Sequence, residues 1–198
     1  MKNYKYIKNL LSLDIAEFIT FSSLEIIDKS INKSKTDRQV PLSFFFSSDS
    51  SLLYRNLLYF LKSRIEKESN LKLNPTYAYS RFYISGAELK KHKDRPACEI
   101  SVSLTLKKKY HNKDYQWPLC MGDMPLIIEE GDGVVYKGRE IEHWRPVFTE
   151  PDGSWHHQVF LHYVNTEGPC KNLKEEIDEE SILYNTKLQK KIIQNLPN

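Results

Sequence analysis

The chain has 198 residues, with 29 basic and 26 acidic side chains and a net charge of +3. This length favours one domain with a sizeable hydrophobic core, and we expect residues 1–198 to form it. The balanced charge argues against a nucleic-acid-binding protein, which usually carries a strongly basic face. No apolar run approaches the roughly 20 residues that cross a bilayer, so we expect no membrane-spanning segment.

The three cysteines, Cys98, Cys120 and Cys170, show no spacing that is typical of a metal site. The first residues are basic but lack the apolar core and small-residue cleavage site of a secretory signal. We therefore expect free thiols and a cytoplasmic protein.

Residues 1–70 are predicted to be a mostly helical support. Ser12 is a good N-cap for a first helix with apolar residues at helical spacing. The apolar run 44–46 resembles a short strand, and a second amphipathic helix is predicted to begin at Asp49 or Ser50.

Short strands dominate the chain after Pro75, where aromatic and β-branched residues alternate with polar ones. The predicted strands cover residues 77–84, 98–106, 116–120, 125–128, 133–137, 140–144 and 156–164. Helices followed by closely spaced strands predict a mainly β fold with flanking α-helices, a sheet sandwich or jelly roll. The charged, periodic tail predicts a last helix over residues 172–195.

Three residues are candidate ligands for a metal ion: His92, Asp94 and His143. In an extended segment, residues i and i+2 project to the same side, so His92 and Asp94 would converge. Taken alone, His92 also fits a surface histidine in the charged run 89–95. With the distal His143, the set matches the facial triad of non-haem Fe(II) oxygenases, which leaves positions open for a co-substrate and O2.

The order of these motifs resembles a known family. Tyr83-Ile84-Ser85-Gly86, His92-Lys93-Asp94 and an alternating strand, then Gly131-Asp132, a strand and His143, resemble the Fe(II)/2-oxoglutarate-dependent dioxygenase superfamily, prolyl-hydroxylase-like branch. The opening YIKNLLSLDIAEFI also resembles the first strand and helix of this branch.

The resemblance covers residues 75–165 and implies a double-stranded β-helix (jelly roll, cupin-like) core there. It implies Fe(II), 2-oxoglutarate and O2 as cofactor and co-substrates, with His92, Asp94 and His143 as catalytic metal ligands. The expected reaction is hydroxylation of an amino-acid side chain, peptide or small metabolite, with release of succinate and CO2.

One feature departs from the family pattern. The family usually places an Arg or Lys on the last core strand to bind the far carboxylate of 2-oxoglutarate, and residues 155–164 contain neither. A buried carboxylate still needs a cation. We rank Arg145 first, because it shares the predicted inward face of His143, then His157, near the usual position, and then Arg81 on an earlier strand.

Other side chains are candidates for contact with the co-substrate. Tyr79 and Tyr83 alternate on one strand face, and they either pack in the core or donate a hydroxyl to the co-substrate. Ser103, between Ser101 and Thr105, belongs to a polar strand face of the kind that lines a ligand pocket.

Two other functions compete with the oxygenase. The first is a non-catalytic, metal-binding jelly-roll (cupin-like) binding module, which the missing strand cation favours. The second is a hydrolase, but this sequence contains no nucleophile motif such as G-x-S-x-G. The substrate and the oligomeric state stay open.

Overall fold

The computed structural model of the chain describes residues 3–30, 39–47 and 52–173. Two helices and ten strands occur in chain order: β1 (Tyr4–Ile7), α1 (Leu13–Ser30), β2 (Ser43–Ser47), α2 (Leu52–Ser69), β3 (Leu73–Ile84), β4 (Leu89–His92), β5 (Ile100–Lys109), β6 (Leu119–Met121), β7 (Met124–Leu126), β8 (Gly133–Tyr136), β9 (His143–Arg145) and β10 (Trp155–Asn165). The mainly β fold with flanking helices is confirmed.

The strands form two antiparallel sheets. The larger sheet has the order β1-β8-β5-β10-β3-β2, and the smaller has the order β4-β9-β6-β7. The chain crosses between the sheets after β3, β4, β5, β7, β8 and β9, so residues that are distant in sequence meet in the interior.

Strict alternation along β5 explains how the larger sheet packs. Ile100, Val102 and Leu104 lie in the hydrophobic core that the helices cover, together with Ala16 of α1 and Leu58 of α2. The helices thus bury one face of the sheet, as the apolar half of the pattern requires. The other face carries the serines and threonine of β5 toward the smaller sheet, where polar side chains are available for a site.

The largest differences from the predicted strands concern β3 and β4. β3 begins at Leu73 and runs through Pro75, which pairs with Tyr163 beside an irregularity in the ladder. Proline is tolerated there because the regular hydrogen bonds are already interrupted. β4 was not predicted as a strand, because its exposed lysines, Lys90 and Lys91, hide any apolar strand pattern in the sequence. In the structure β4 pairs with β9.

Two sequence predictions fall partly or wholly outside the described residues. The expected starts of the second helix, Asp49 and Ser50, lie outside them, and α2 is described from Leu52. The predicted helix over 172–195 also lies outside them, except for a 3-10 turn at Lys171–Leu173. No helix in the described ranges is long and apolar enough to cross a membrane.

Candidate metal centre

Strand pairing brings the three predicted ligands together. β4 and β9 are antiparallel neighbours, and their register places His92 directly opposite His143. Asp94 follows β4, and its backbone N–H donates to the carbonyl of Gly138 at 2.9 Å. This bond ties the segment after β4 to the turn that precedes β9, so the carboxylate faces both imidazoles.

The donor atoms converge on one point. Asp94 Oδ1 lies 3.7 Å from His92 Nε2 and 3.5 Å from His143 Nε2. The three ligand atoms of this set lie within 4.8 Å of one another. Two imidazole nitrogens and one carboxylate oxygen on the same side suit a divalent transition metal with open positions.

Hydrogen bonds to the far side of each ligand fix its orientation. Nδ1 of His92 bonds the carbonyl of Lys90 at 2.8 Å, and Nδ1 of His143 bonds that of Ile141 at 3.2 Å. A carbonyl only accepts, so Nδ1 carries the proton in both rings and Nε2 offers its lone pair to a metal.

Asp94 is held in the same way. Ser101 Oγ donates to Asp94 Oδ2 at 2.7 Å, which leaves Oδ1 directed at the two histidines. Burial alone would raise the pKa of Asp94, but the neighbouring His143, the nearby His162 and a hydrogen bond from Ser101 lower it to about 2. Burial and the neighbouring His143 lower the pKa of His92. Asp94 is therefore ionised and His92 neutral at physiological pH, as metal binding requires.

Sequence patterns did not identify two neighbours of the centre. A Cβ at Gly138 would overlap Asp94 Oδ2 and lie 2.8 Å from Ser101 Oγ, so a glycine is needed for the carboxylate to occupy its position. The hydroxyl of the buried Tyr136 lies 3.4 Å from His143 Nε2. Both residues reach the centre because β8 ends, and the turn after it begins, next to Asp94 and His143. No local sequence pattern predicts this position.

Arg145 follows His143 by two residues on β9, and its side chain is buried. It is 1% exposed, and its guanidinium donates to the carbonyl of Trp117 at 2.9 Å and to Gln158 Oε1. Gln158 in turn donates to Ser103 Oγ on β5, the neighbouring strand of the larger sheet. The described residues provide no carboxylate within ion-pair distance of Arg145 and no hydrogen-bond partner for its Nε.

Arg81 and Tyr79 line a separate space. They belong to a cavity of about 410 Å³ that opens beside His92 and Asp94. Arg81 is 1% exposed and donates to Tyr83 Oη at 3.3 Å. Both buried arginines lie close to the ring of Tyr83, whose centre is 5.5 Å from Arg81 Cζ and 6.0 Å from Arg145 Cζ.

His157 is a correction to the sequence-based ranking. Its Nδ1 bonds Thr20 Oγ1 of α1 at 2.9 Å, and its ring stacks on Phe82 with a centroid distance of 3.8 Å. His157 therefore faces the helices, on the side of the sheet opposite to the metal centre, and it is removed from the co-substrate candidates. Gln158 takes the inward position next to it.

Comparison with known proteins identifies the fold. No protein-family model matches the sequence, and no curated protein matches it. Solved structures do match, and they are Fe- and 2-oxoglutarate-dependent oxygenases, including prolyl hydroxylases. HygX from Streptomyces hygroscopicus, with nickel and 2-oxoglutarate bound, is 11% identical with a TM-score of 0.58, over 83% of this chain and 84% of that one.

Two further structures are similar to the same extent. EctD from S. alaskensis, with bound Fe, is 11% identical with a TM-score of 0.61, over 83% of this chain and 73% of that one. A prolyl hydroxylase from Trichoplax adhaerens, in complex with a hypoxia inducible factor peptide, is 13% identical with a TM-score of 0.60, over 89% of each chain. At such identities the likeness shows the fold, and it confirms the double-stranded β-helix.

Proposed function

We propose that the protein is an Fe(II)- and 2-oxoglutarate-dependent oxygenase. The observation that carries this proposal is the convergence of His92 Nε2, Asp94 Oδ1 and His143 Nε2 with each ligand oriented from behind. Three protein ligands on one side leave room for a chelating 2-oxo acid and for O2. The similar structures that hold nickel with 2-oxoglutarate, or Fe, support this assignment.

The bound metal and co-substrate would supply the oxidation itself. That chemistry would convert 2-oxoglutarate and O2 to succinate and CO2, with the second oxygen atom of O2 added to a C–H bond of the substrate as a hydroxyl group. The protein binds and orients the reactants. Ser101 holds Asp94, and the carbonyls of Lys90 and Ile141 hold the imidazoles, so the ligands do not reorganise when the metal binds.

We assign Arg145 to the far carboxylate of 2-oxoglutarate. A buried guanidinium without a carboxylate partner among the described residues is costly, because desolvation is not offset by an ion pair. An incoming carboxylate removes that cost. The distance along β9 from His143 to Arg145 is about 6.6 Å at 3.3 Å per residue, on the scale of an extended five-carbon diacid. Ser103 and Gln158 extend the same polar cluster.

Our proposals for the substrate and for the cellular compartment are more general. A small metabolite, an amino-acid side chain or a peptide fits the site, as the relatives with hygromycin B and with a peptide illustrate. Cys98, Cys120 and Cys170 are buried free thiols, which supports a reducing, cytoplasmic compartment.

A non-catalytic metal-binding module is the second candidate, and a specific observation favours it. The last core strand, β10, carries no Arg or Lys between Trp155 and Val164, where relatives of this type usually place one. In such a module the metal would bind but 2-oxoglutarate would not.

Turnover separates these two functions. The Fe(II) protein is incubated with 2-oxoglutarate, ascorbate and O2, and succinate is measured over time with His143→Ala and Asp94→Ala as matched variants. An oxygenase forms succinate slowly even without its prime substrate, and both variants lose this activity while they stay folded. Metal binding without any succinate above the level of the variants would support the binding module.

A further inference from the structure

We infer that Tyr136 binds the co-substrate, with its hydroxyl group donating a hydrogen bond to an oxygen at the metal-chelating end of 2-oxoglutarate. This inference rests on the proposed function, because it requires a metal in the triad with a chelated 2-oxo acid. It goes further by giving a role to a residue that the sequence motifs do not include.

Strand pairing turns the Tyr136 side chain toward the metal centre. Tyr136 ends β8 and lies directly opposite Ser101 of β5. Residues directly opposed on antiparallel strands project from the same face of a sheet. Because Ser101 holds Asp94 from that face, Tyr136 faces the same centre. Its ring packs edge-on against the His143 ring, with centroids 4.8 Å apart.

The Tyr136 hydroxyl is weakly bonded in the metal-free protein. Tyr136 is 1% exposed, and its ring packs among apolar side chains that include Val134 and Ile141. The hydroxyl lies 3.4 Å from His143 Nε2, at the long end of hydrogen-bond distances. A buried hydroxyl without a good partner is costly, so an acceptor that enters the site would bind favourably to it.

Metal binding would remove even this long bond. His143 Nδ1 donates to the carbonyl of Ile141, so the lone pair of the ring is on Nε2. Once a metal takes that lone pair, the O–H group of Tyr136, which is protonated at neutral pH, needs another acceptor.

Ser101 is not well placed to be that acceptor. It lies beside the Tyr136 hydroxyl, but its oxygen already donates to Asp94 Oδ2 at 2.7 Å and contacts His162 Nδ1 at 2.9 Å. An oxygen of an entering ligand is therefore the better partner.

The position of the hydroxyl favours the co-substrate as this ligand. Tyr136 is near enough to Arg145 for the two groups to interact electrostatically. It is not among the described residues that line the cavity beside His92 and Asp94. Tyr136 thus lies on the inner side of the centre, where the metal and Arg145 would hold the two ends of 2-oxoglutarate. The chelating end offers anionic oxygens, which accept stronger hydrogen bonds than neutral ones.

The test compares the unmodified full chain with Tyr136→Phe, which lacks the hydroxyl and keeps the ring. Isothermal titration of the Mn(II)-loaded proteins with 2-oxoglutarate should show affinity about 10- to 100-fold lower in the variant, the range for a lost hydrogen bond to a charged group. Competition with a fluorescent chelator should show Mn(II) affinity that is unchanged or up to about threefold higher, because the metal no longer displaces a hydrogen bond from Nε2.

Tyr163→Phe is the matched control. Tyr163 is also buried, but its hydroxyl donates to the carbonyl of Leu58 at 2.7 Å, on the helix side of the sheet. This variant should lose stability to urea and keep both affinities within about threefold of the unmodified protein. Tyr136→Phe should instead keep its stability in the metal-free form, since it loses no short hydrogen bond.

The visible band of the Fe(II)–2-oxoglutarate complex gives a readout that is independent of affinity. A hydrogen bond to the chelated oxygens stabilises the negative charge that charge transfer places on the 2-oxo acid. At saturating 2-oxoglutarate without O2, the band of Tyr136→Phe should therefore lie at shorter wavelength, and the band of Tyr163→Phe should not move.

Three results would overturn the role of Tyr136. They are an unchanged 2-oxoglutarate affinity, a loss of metal affinity as large as the loss of co-substrate affinity, and a metal-free Tyr136→Phe that does not fold, since the hydroxyl would then be structural. A loss in Tyr83→Phe with none in Tyr136→Phe would move the role to Tyr83. If the unmodified Mn(II) protein binds no 2-oxoglutarate, the proposed function itself fails. Normal binding by both the unmodified protein and Tyr136→Phe contradicts only the role of Tyr136.

Discussion

Replacement of Ser101 by alanine tests the support behind the metal ligands. The variant removes the hydroxyl that donates to Asp94 Oδ2 at 2.7 Å and adds no bulk. A hydrogen bond to a charged group contributes about 1.5–3 kcal/mol. Because about 1.4 kcal/mol is a factor of ten in an equilibrium constant, the metal should bind about 10- to 100-fold more weakly. Loss of a group that orients a metal ligand has effects of the same size.

Ser103→Ala is the matched control for this experiment. Ser103 lies two residues along β5 on the same inward face, but its hydroxyl contacts Gln158 instead of Asp94. Its replacement should leave the metal affinity within about threefold and weaken 2-oxoglutarate binding about two- to tenfold, as expected for a neutral hydrogen bond. Competition between each protein and a fluorescent chelator for Mn(II) measures the metal affinity, and isothermal titration measures 2-oxoglutarate.

The two serines should therefore separate metal affinity from co-substrate affinity. Equal metal affinities in Ser101→Ala and the unmodified protein would refute the idea that Asp94 is held by Ser101. Equal losses of metal affinity in both variants would indicate a general disturbance of β5.

Arg145→Met should raise the 2-oxoglutarate requirement about 30-fold or more in a steady-state assay, since one partner of a buried charge pair is lost. Its apo form should be at least as stable to urea, because methionine needs no ion pair there, and a large destabilisation would contradict this reasoning. Gly138→Ala should weaken Mn(II) binding by displacing Asp94, and an unchanged affinity would show that the turn yields instead. Burial lowers the pKa of His162 to about 4. The unfolded chain then binds a proton that the native state excludes, so acidification from about pH 6.5 to 4 should cost about 3 kcal/mol of unfolding free energy. Urea titrations across this range should show a shallower loss in His162→Gln, and parallel curves would exclude the effect.

The candidate metal centre could be predicted from the sequence because its geometry is largely local. His92 and Asp94, at i and i+2, converge in any extended segment. His143 joins them because β9 pairs with β4 in the register that places it opposite His92. Alternation along β5 also predicted that Ser101, Ser103 and Thr105 share one polar face, and in the structure this face is turned away from the helices.

The position of His157 shows where a family pattern was given too much weight. Along β10, Val159 and Leu161 are apolar and lie in the core that the helices cover, while Gln158 faces Arg145. His157 shares the parity of the apolar pair, so alternation alone places it on the helix side. The family spacing pointed to the same segment but not to the correct face.

The surroundings of the centre could not be read from the sequence, for a physical reason. Gly138 contacts Asp94 only because the turn after β8 returns to the site, and Arg81 reaches the cavity only through the pairing of β3 with β10. These contacts depend on tertiary packing between distant segments, and one-dimensional patterns do not encode which turn meets which ligand.

Anaerobic titration of the Fe(II) protein with 2-oxoglutarate tests the central claim most directly. Chelation of the 2-oxo acid by Fe(II) produces a visible charge-transfer band, so the band reports the metal and the co-substrate together. We expect the band in the unmodified protein, its loss in His143→Ala, and a higher 2-oxoglutarate concentration for saturation in Arg145→Met. Fe(II) that binds to the unmodified protein without any band on addition of 2-oxoglutarate would contradict the account and favour a metal-binding module.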